Sequence, residues 1–106
     1  MKQLSIFILS DSLGNTAEHV AGAAIAQFQS DAFTVKKFPY IKEDTPFDYI
    51  FSEILRAPDK IILHTIVKKE LVQKISKFAA ENNIRCLDLL TPVLDSIESV
   101  TGEAPL

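Results

Sequence analysis

The chain has 106 residues, 47% of them apolar and 24% charged, with a formal net charge of −3. That length and mix suit one globular domain with its own core. The negative balance, with no basic run beyond Lys36-Lys37 or Lys68-Lys69, argues against a nucleic-acid partner, and no apolar run approaches a membrane span.

Residues 4 to 9, LSIFIL, form a short apolar run that reads as a buried strand. Residues 16 to 28 follow with Ala17, Val20, Ala21, Ala24, Ile25 and Phe28 on one helical face. Asn15 is placed to cap that helix, with Glu18 three residues on to close a capping box. Residues 33 to 38 alternate as a second strand, with Thr34 and Lys36 turned away from Phe33 and Val35. Thr45-Pro46 reads as cap and first residue of a second helix, which carries Phe47, Ile50, Phe51, Ile54 and Leu55 inward and stops at Pro58. A third strand is expected over 60 to 65. A third helix is expected over 68 to 81, with Leu71, Ile75, Phe78 and Ala79 inward and Lys68, Lys69, Lys74 and Lys77 in solvent. A fourth strand over 84 to 89 and a last helix from Thr91-Pro92 to Gly102 complete the chain.

Strands and helices alternating at this spacing predict an α/β, three-layer, doubly wound parallel sheet of about four strands in one domain. The first and third strands are the most apolar and belong at the centre. Lys36-Lys37 and Arg85 suit the edges, so the predicted order is 2-1-3-4. Cys86 is the single cysteine, so no internal disulfide can form, and mid-strand it reads as plain core. Together with an N-terminus unlike a signal peptide, this predicts a cytoplasmic location.

In order 2-1-3-4 the chain reverses between strands 1 and 3, where ligands of open α/β sheets bind beyond the carboxyl ends of the strands. That rim gathers Ser10, Asp11, Ser12, Gly14, Asn15 and Thr16 from the first loop, His64 and Thr65 from the third strand, and Asp88 and Thr91 from the fourth. The N–H groups and dipole of a helix N-terminus favour an anion, and the hydroxyls add donors. The loop carries no lysine, so it is not a GxxxxGK[ST] phosphate loop, and Asp11 opposes an anion. A capped tight turn with Asp11 and Ser12 bonding local backbone is the alternative. His64 reads either as an acid/base or as a histidine satisfied within the fold; Asp88 reads either as a magnesium ligand or as a loop cap. No spacing suggests a structural metal site. The third strand ends in His64-Thr65 where a receiver domain needs an aspartate. "SDSLGNT" is similar to a flavodoxin phosphate turn with Leu13 inserted, and Tyr40 is placed to stack on a flavin, so an FMN or small-anion module stays open, as does a docking domain without ligand.

Three segments together carry a resemblance. "LSDSLGNTAEHVAGAAIAQF", "HTIVKKEL" and "NIRCLDLLTPVLDSIESVTGEAP" resemble, in order and spacing, the N-terminal half of the bifunctional serine/threonine kinase and pyrophosphorylase family that regulates pyruvate, phosphate dikinase or phosphoenolpyruvate synthetase. The resemblance implies a longer protein that phosphorylates a target threonine with ADP and removes that phosphate with inorganic phosphate, releasing pyrophosphate. It also implies that the glycine-rich phosphate loop lies in the C-terminal half. No cofactor is then expected within residues 1–106; ADP and phosphate belong to the whole enzyme. Catalytic residues are not assigned, and folding support, homodimer formation, target docking or regulation is the expected role of this half.

Overall fold

The computed structural model describes residues 3–29 and 31–106. Four strands and four helices alternate: β1 (Leu4–Leu9), α1 (Asn15–Ile25), β2 (Phe33–Phe38), α2 (Phe47–Arg56), β3 (Asp59–His64), α3 (Lys69–Glu81), β4 (Arg85–Asp88) and α4 (Thr91–Thr101). They build one parallel sheet in the order β2-β1-β3-β4. The expected topology and the central position of the two most apolar strands are both observed. No helix among the described residues is long and apolar enough to cross a membrane.

Strand alternation divides the core in two. On one face Phe7 and Leu9 of β1 and Ile62 of β3 pack with Phe47, Ile50 and Ile54 of α2 and with Leu71, Ile75 and Phe78 of α3. The rings of Phe51 and Phe78 stack at 3.9 Å between centroids and bind those helices to each other. On the other face Ile6, Ile8 and Leu63 meet Ala17 and Ala21 of α1. Helices therefore cover both sides, as right-handed crossovers and the reversal between β1 and β3 require.

Several local expectations need correction. Asn15 is the first helical residue of α1, and the cap position belongs to Gly14 in the left-handed region, with no side-chain cap bond. Glu18 closes no capping box; its carboxylate pairs with Lys37 at 3.0 Å. The helix ends at Ile25, where Gln27 and Phe28 donate to carbonyls three residues back and tighten the chain into a turn. Only the narrow stripe of Ala17 and Ala21 is buried, because small residues set α1 close to the sheet; Val20, Ala24 and Phe28 are exposed. Helix α2 starts at Phe47, one residue later than expected, and the Thr45 hydroxyl accepts the Lys42 N–H instead of capping the helix. Leu55 lies on the solvent side of α2. Strand β3 runs one residue earlier than expected, β4 is confined to Arg85–Asp88, and Cys86 is half-buried at the core margin rather than within it.

Burial is uneven along the chain. Ile62 is fully buried between helices α2 and α3, whereas α4 buries none of its side chains. Ile62→Ala should therefore lower stability by about 2–5 kcal/mol, and Val93→Ala on α4 by less than about 0.5 kcal/mol. Urea unfolding of the two variants beside the parent chain measures both, and equal losses would contradict this distribution of the core.

Candidate functional site

The register of the sheet builds the rim. Leu9 pairs with Phe38 on one side and with His64 on the other, so three strands end level. The ladder continues one step further: Ser10 N–H donates to the Phe38 carbonyl, Ile41 N–H to the Ser10 carbonyl and Thr65 N–H to the Leu9 carbonyl. Ser10 is thereby fixed at the reversal point and buried, with its hydroxyl oxygen as a local hub. It accepts the Ser12 N–H at 3.1 Å and the Thr65 hydroxyl at 3.4 Å, and lies 3.3 Å from the Ser12 hydroxyl.

The loop then turns through Gly14, whose φ of 87° is the left-handed conformation that glycine adopts without a Cβ clash. A Cβ here would lie 3.3 Å from Lys37 Cδ. Glu18 N–H makes the first helical bond, to the Gly14 carbonyl, so the N–H groups of residues 15 to 17 precede the helical ladder. Asp11, Ser12, Asn15 and Thr16 are exposed around this point, and Thr65 is half-buried beside it. Across the rim, Tyr40 donates its N–H to the Ser12 carbonyl and holds a φ of 58°, an uncommon value for a bulky residue. The structure thus brings Ser10, Ser12, Gly14 and Thr65 into one cluster. The local side-chain bond in the turn comes from Ser10, not from Asp11 or Ser12 as the capped-turn reading supposed.

His64 and Asp88 form a separate pair one strand over. His64 is buried; its Nδ1 accepts the Ile66 N–H at 3.2 Å, which places the ring proton on Nε2, 3.7 Å from Asp88 Oδ2. Nδ1 is thus bonded within the fold, and Nε2 faces a carboxylate just beyond hydrogen-bond distance. Burial holds its pKa below the ordinary 6.5, against the attraction of Asp88. Asp88 is a loop cap: Oδ1 accepts the N–H groups of Leu90 at 3.0 Å and Thr91 at 2.8 Å. Burial alone would raise the Asp88 carboxyl, but the Thr91 and Leu90 hydrogen bonds with the field of His64 bring it below its usual value. The Cys86 thiol is pushed up to about 11, first by burial and then by Asp88, which makes it a poor nucleophile.

One relevant residue escaped the reading of the sequence. Lys37 sits on β2 opposite Ile8, and its stem runs beside Gly14, so a cation flanks the loop although none lies within it. The signal that could have found it is the parallel register of β1 and β2, which no local pattern contains.

An open parallel α/β domain, with a hydroxyl-rich turn opening a helix at its topological switch point, defines the class. Residues 6–106 match the model of the kinase/pyrophosphorylase family, and the chain belongs to that family. It is 34% identical over 103 residues to a protein of Lactobacillus helveticus and 39% identical over 97 residues to one of Alkaliphilus oremlandii; both are named as pyruvate, phosphate dikinase regulatory proteins. These alignments cover 97% and 92% of this chain but 37% and 35% of the two relatives. The chain therefore spans little more than a third of the length of the relatives it matches.

The His64–Asp88 pair fixes a pH dependence. Below about pH 6.5 the unfolded chain takes up a proton at His64 while the folded chain, with its lowered pKa, does not. Stability from this group is complete above that pH and is lost as pH falls through the window beneath it. Asp88 adds the same sign lower down, as pH falls below 3.8. His64→Asn keeps an acceptor for Ile66 and removes the titration. Thermal melts from pH 7 downward should show a shallower decline below about pH 6.5 in the variant; parallel declines would contradict the burial of a neutral imidazole.

Proposed function

We propose that this chain is the N-terminal domain of a regulator of pyruvate, phosphate dikinase. The whole enzyme would pass the β-phosphoryl group of ADP to a target threonine, leaving AMP. It would remove that phosphoryl group by attack of inorganic phosphate, releasing pyrophosphate. The observation that carries the reading is the family match across residues 6–106, together with relatives named for that dikinase. Phosphoenolpyruvate synthetase is the other target class implied by the sequence resemblance.

Within that reading the rim loop receives a phosphate-type anion. Three N–H groups at the start of α1, the hydroxyls of Ser12 and Thr16, and the flanking Lys37 are the donors there, while the Thr65 hydroxyl is committed to Ser10. The site is weak on its own: Asp11 repels an anion, Glu18 already holds Lys37, and a helix dipole supplies only about 0.3–1 kcal/mol. Titration with phosphate should shift the amide resonances of residues 12 to 18 only at roughly tens of millimolar. Gly14→Ala, strained by about 1–2 kcal/mol at that φ, should weaken the response. Absence of any shift, with the parent chain folded, would return the loop to a plain tight turn.

Phosphoryl transfer needs a clamp on the β-phosphate, and the sequence of this domain contains no glycine-rich, lysine-bearing loop to provide one. Residues 1–106 alone should not label the dikinase from radioactive β-phosphate ADP. Robust labelling by the purified domain would overturn this division of labour.

A further inference from the structure

Helix α4 buries none of its side chains among the described residues. Val93, Ile97 and Val100 recur at i, i+4 and i+7, so they share a face, and they are 55%, 54% and 86% exposed. Ser96 and Thr101 border that face, but their hydroxyls donate back to the carbonyls of Pro92 and Ile97. Those two hydroxyls are therefore spent, and the stripe itself is apolar, with Glu98 and Glu103 bordering Ile97 on one side. Asp95 and Glu98 line, with Leu94, Val67 and Val72, a groove of about 630 Å³ between α3 and α4.

An isolated helix of 11 residues is marginal in water, and helices of this length are held by tertiary packing. Three β-branched side chains are also too little for a free-standing dimer, whose stable interfaces bury about 1,200–2,000 Å². A covalently attached occupant escapes that requirement, because the tether raises its local concentration to about the millimolar range. The helix ends at Gly102 in the left-handed region, Ala104 and Pro105 then lie beside Leu94 and Glu98, and the relatives' polypeptides are nearly three times as long as the matched stretch.

We propose that Val93, Ile97 and Val100 form the docking surface for the part of the regulatory protein that lies beyond the stretch spanned here, and that α4 is the structural joint between the two parts. This rests on the reading of the chain as an N-terminal domain.

Hydrogen exchange and sedimentation of residues 1–106 give the first test. A monomer is expected, with amides 95 to 101 exchanging within about tenfold of the unstructured rate while those of α3 are protected. Protection of α4 in the monomer, or a dimer dissociated by Ile97→Asp, would overturn the proposal, the latter in favour of a second copy. The second test replaces the matched N-terminal stretch of the Lactobacillus helveticus relative with residues 1–106. Amides 95 to 101 should slow by at least about tenfold in this chimera, and Ile97→Asp should restore fast exchange. Unchanged exchange in a folded chimera overturns the docking. Should the chimera not fold, the equivalent helix of the intact relative is measured instead, and fast exchange there overturns it equally. Labelling of the dikinase is scored separately: a protected α4 without labelling leaves the docking standing and removes the functional reading.

Discussion

Everything in this domain depends on β1 being paired on both edges. It takes β2 on one side and β3 on the other, in parallel and in level register. Its side chains alternate between the two cores, Phe7 and Leu9 toward α2 and α3, Ile6 and Ile8 toward α1. A slip of one residue would exchange those sets and place Ile8 where Leu9 belongs. Because the register holds, Ser10 arrives beside Thr65 and beneath the left-handed turn at Gly14. The rim cluster is thus a consequence of the strand pairing rather than a separate construction.

The sequence was most informative where periodicity was strong. The apolar runs LSIFIL and IILH, with polar β2 and β4 beside them, were enough to order the strands, because burial on both faces demands apolar residues at the centre. Helix α3 was legible for a similar reason: Leu71, Ile75, Phe78 and Ala79 face the core while Lys69, Lys74 and Lys77 stay in solvent. Helix α1 misled, since its apolar residues continue to Phe28 while only Ala17 and Ala21 are buried against the sheet. Periodicity gives a face but not how much of that face a partner covers. The cap at Gly14 was hidden by Asn15, a good capping residue one place too late.

The candidate site was legible as a place and less so as chemistry. Topology located the loop, and the loop residues stand where the reversal of the chain put them. The roles of the polar groups depended on partners far away in sequence. The sequence leaves His64 either an acid/base or satisfied in the fold, and Asp88 either a ligand or a loop cap; the Ile66 N–H on Nδ1 and the Leu90 and Thr91 N–H groups on Oδ1 favour the second reading of each. Lys37 enters only through the β1–β2 register. Composition counts such groups but does not pair them.

Asp88 then ties the rim to the bare helix. One of its oxygens holds the first N–H groups of α4, and the other faces His64, whose chain neighbour Thr65 donates to Ser10. A set of neighbouring polar groups therefore runs from the anion loop, through the ends of β1 and β3, to the start of α4, with the 3.7 Å His64–Asp88 contact as its longest step. Each link is individually modest, of the order of 1 kcal/mol for a neutral hydrogen bond and somewhat more for those to the carboxylate. Their common feature is that the groups nearest the sheet, Ser10 and His64, are buried and have no solvent to turn to. A shift of α4 that pulled Asp88 from its cap would strand the Leu90 and Thr91 N–H groups and remove the carboxylate facing His64. The start of α4 is consequently set by the same polar bonds that finish the sheet, while Val93, Ile97 and Val100 further along it stay exposed.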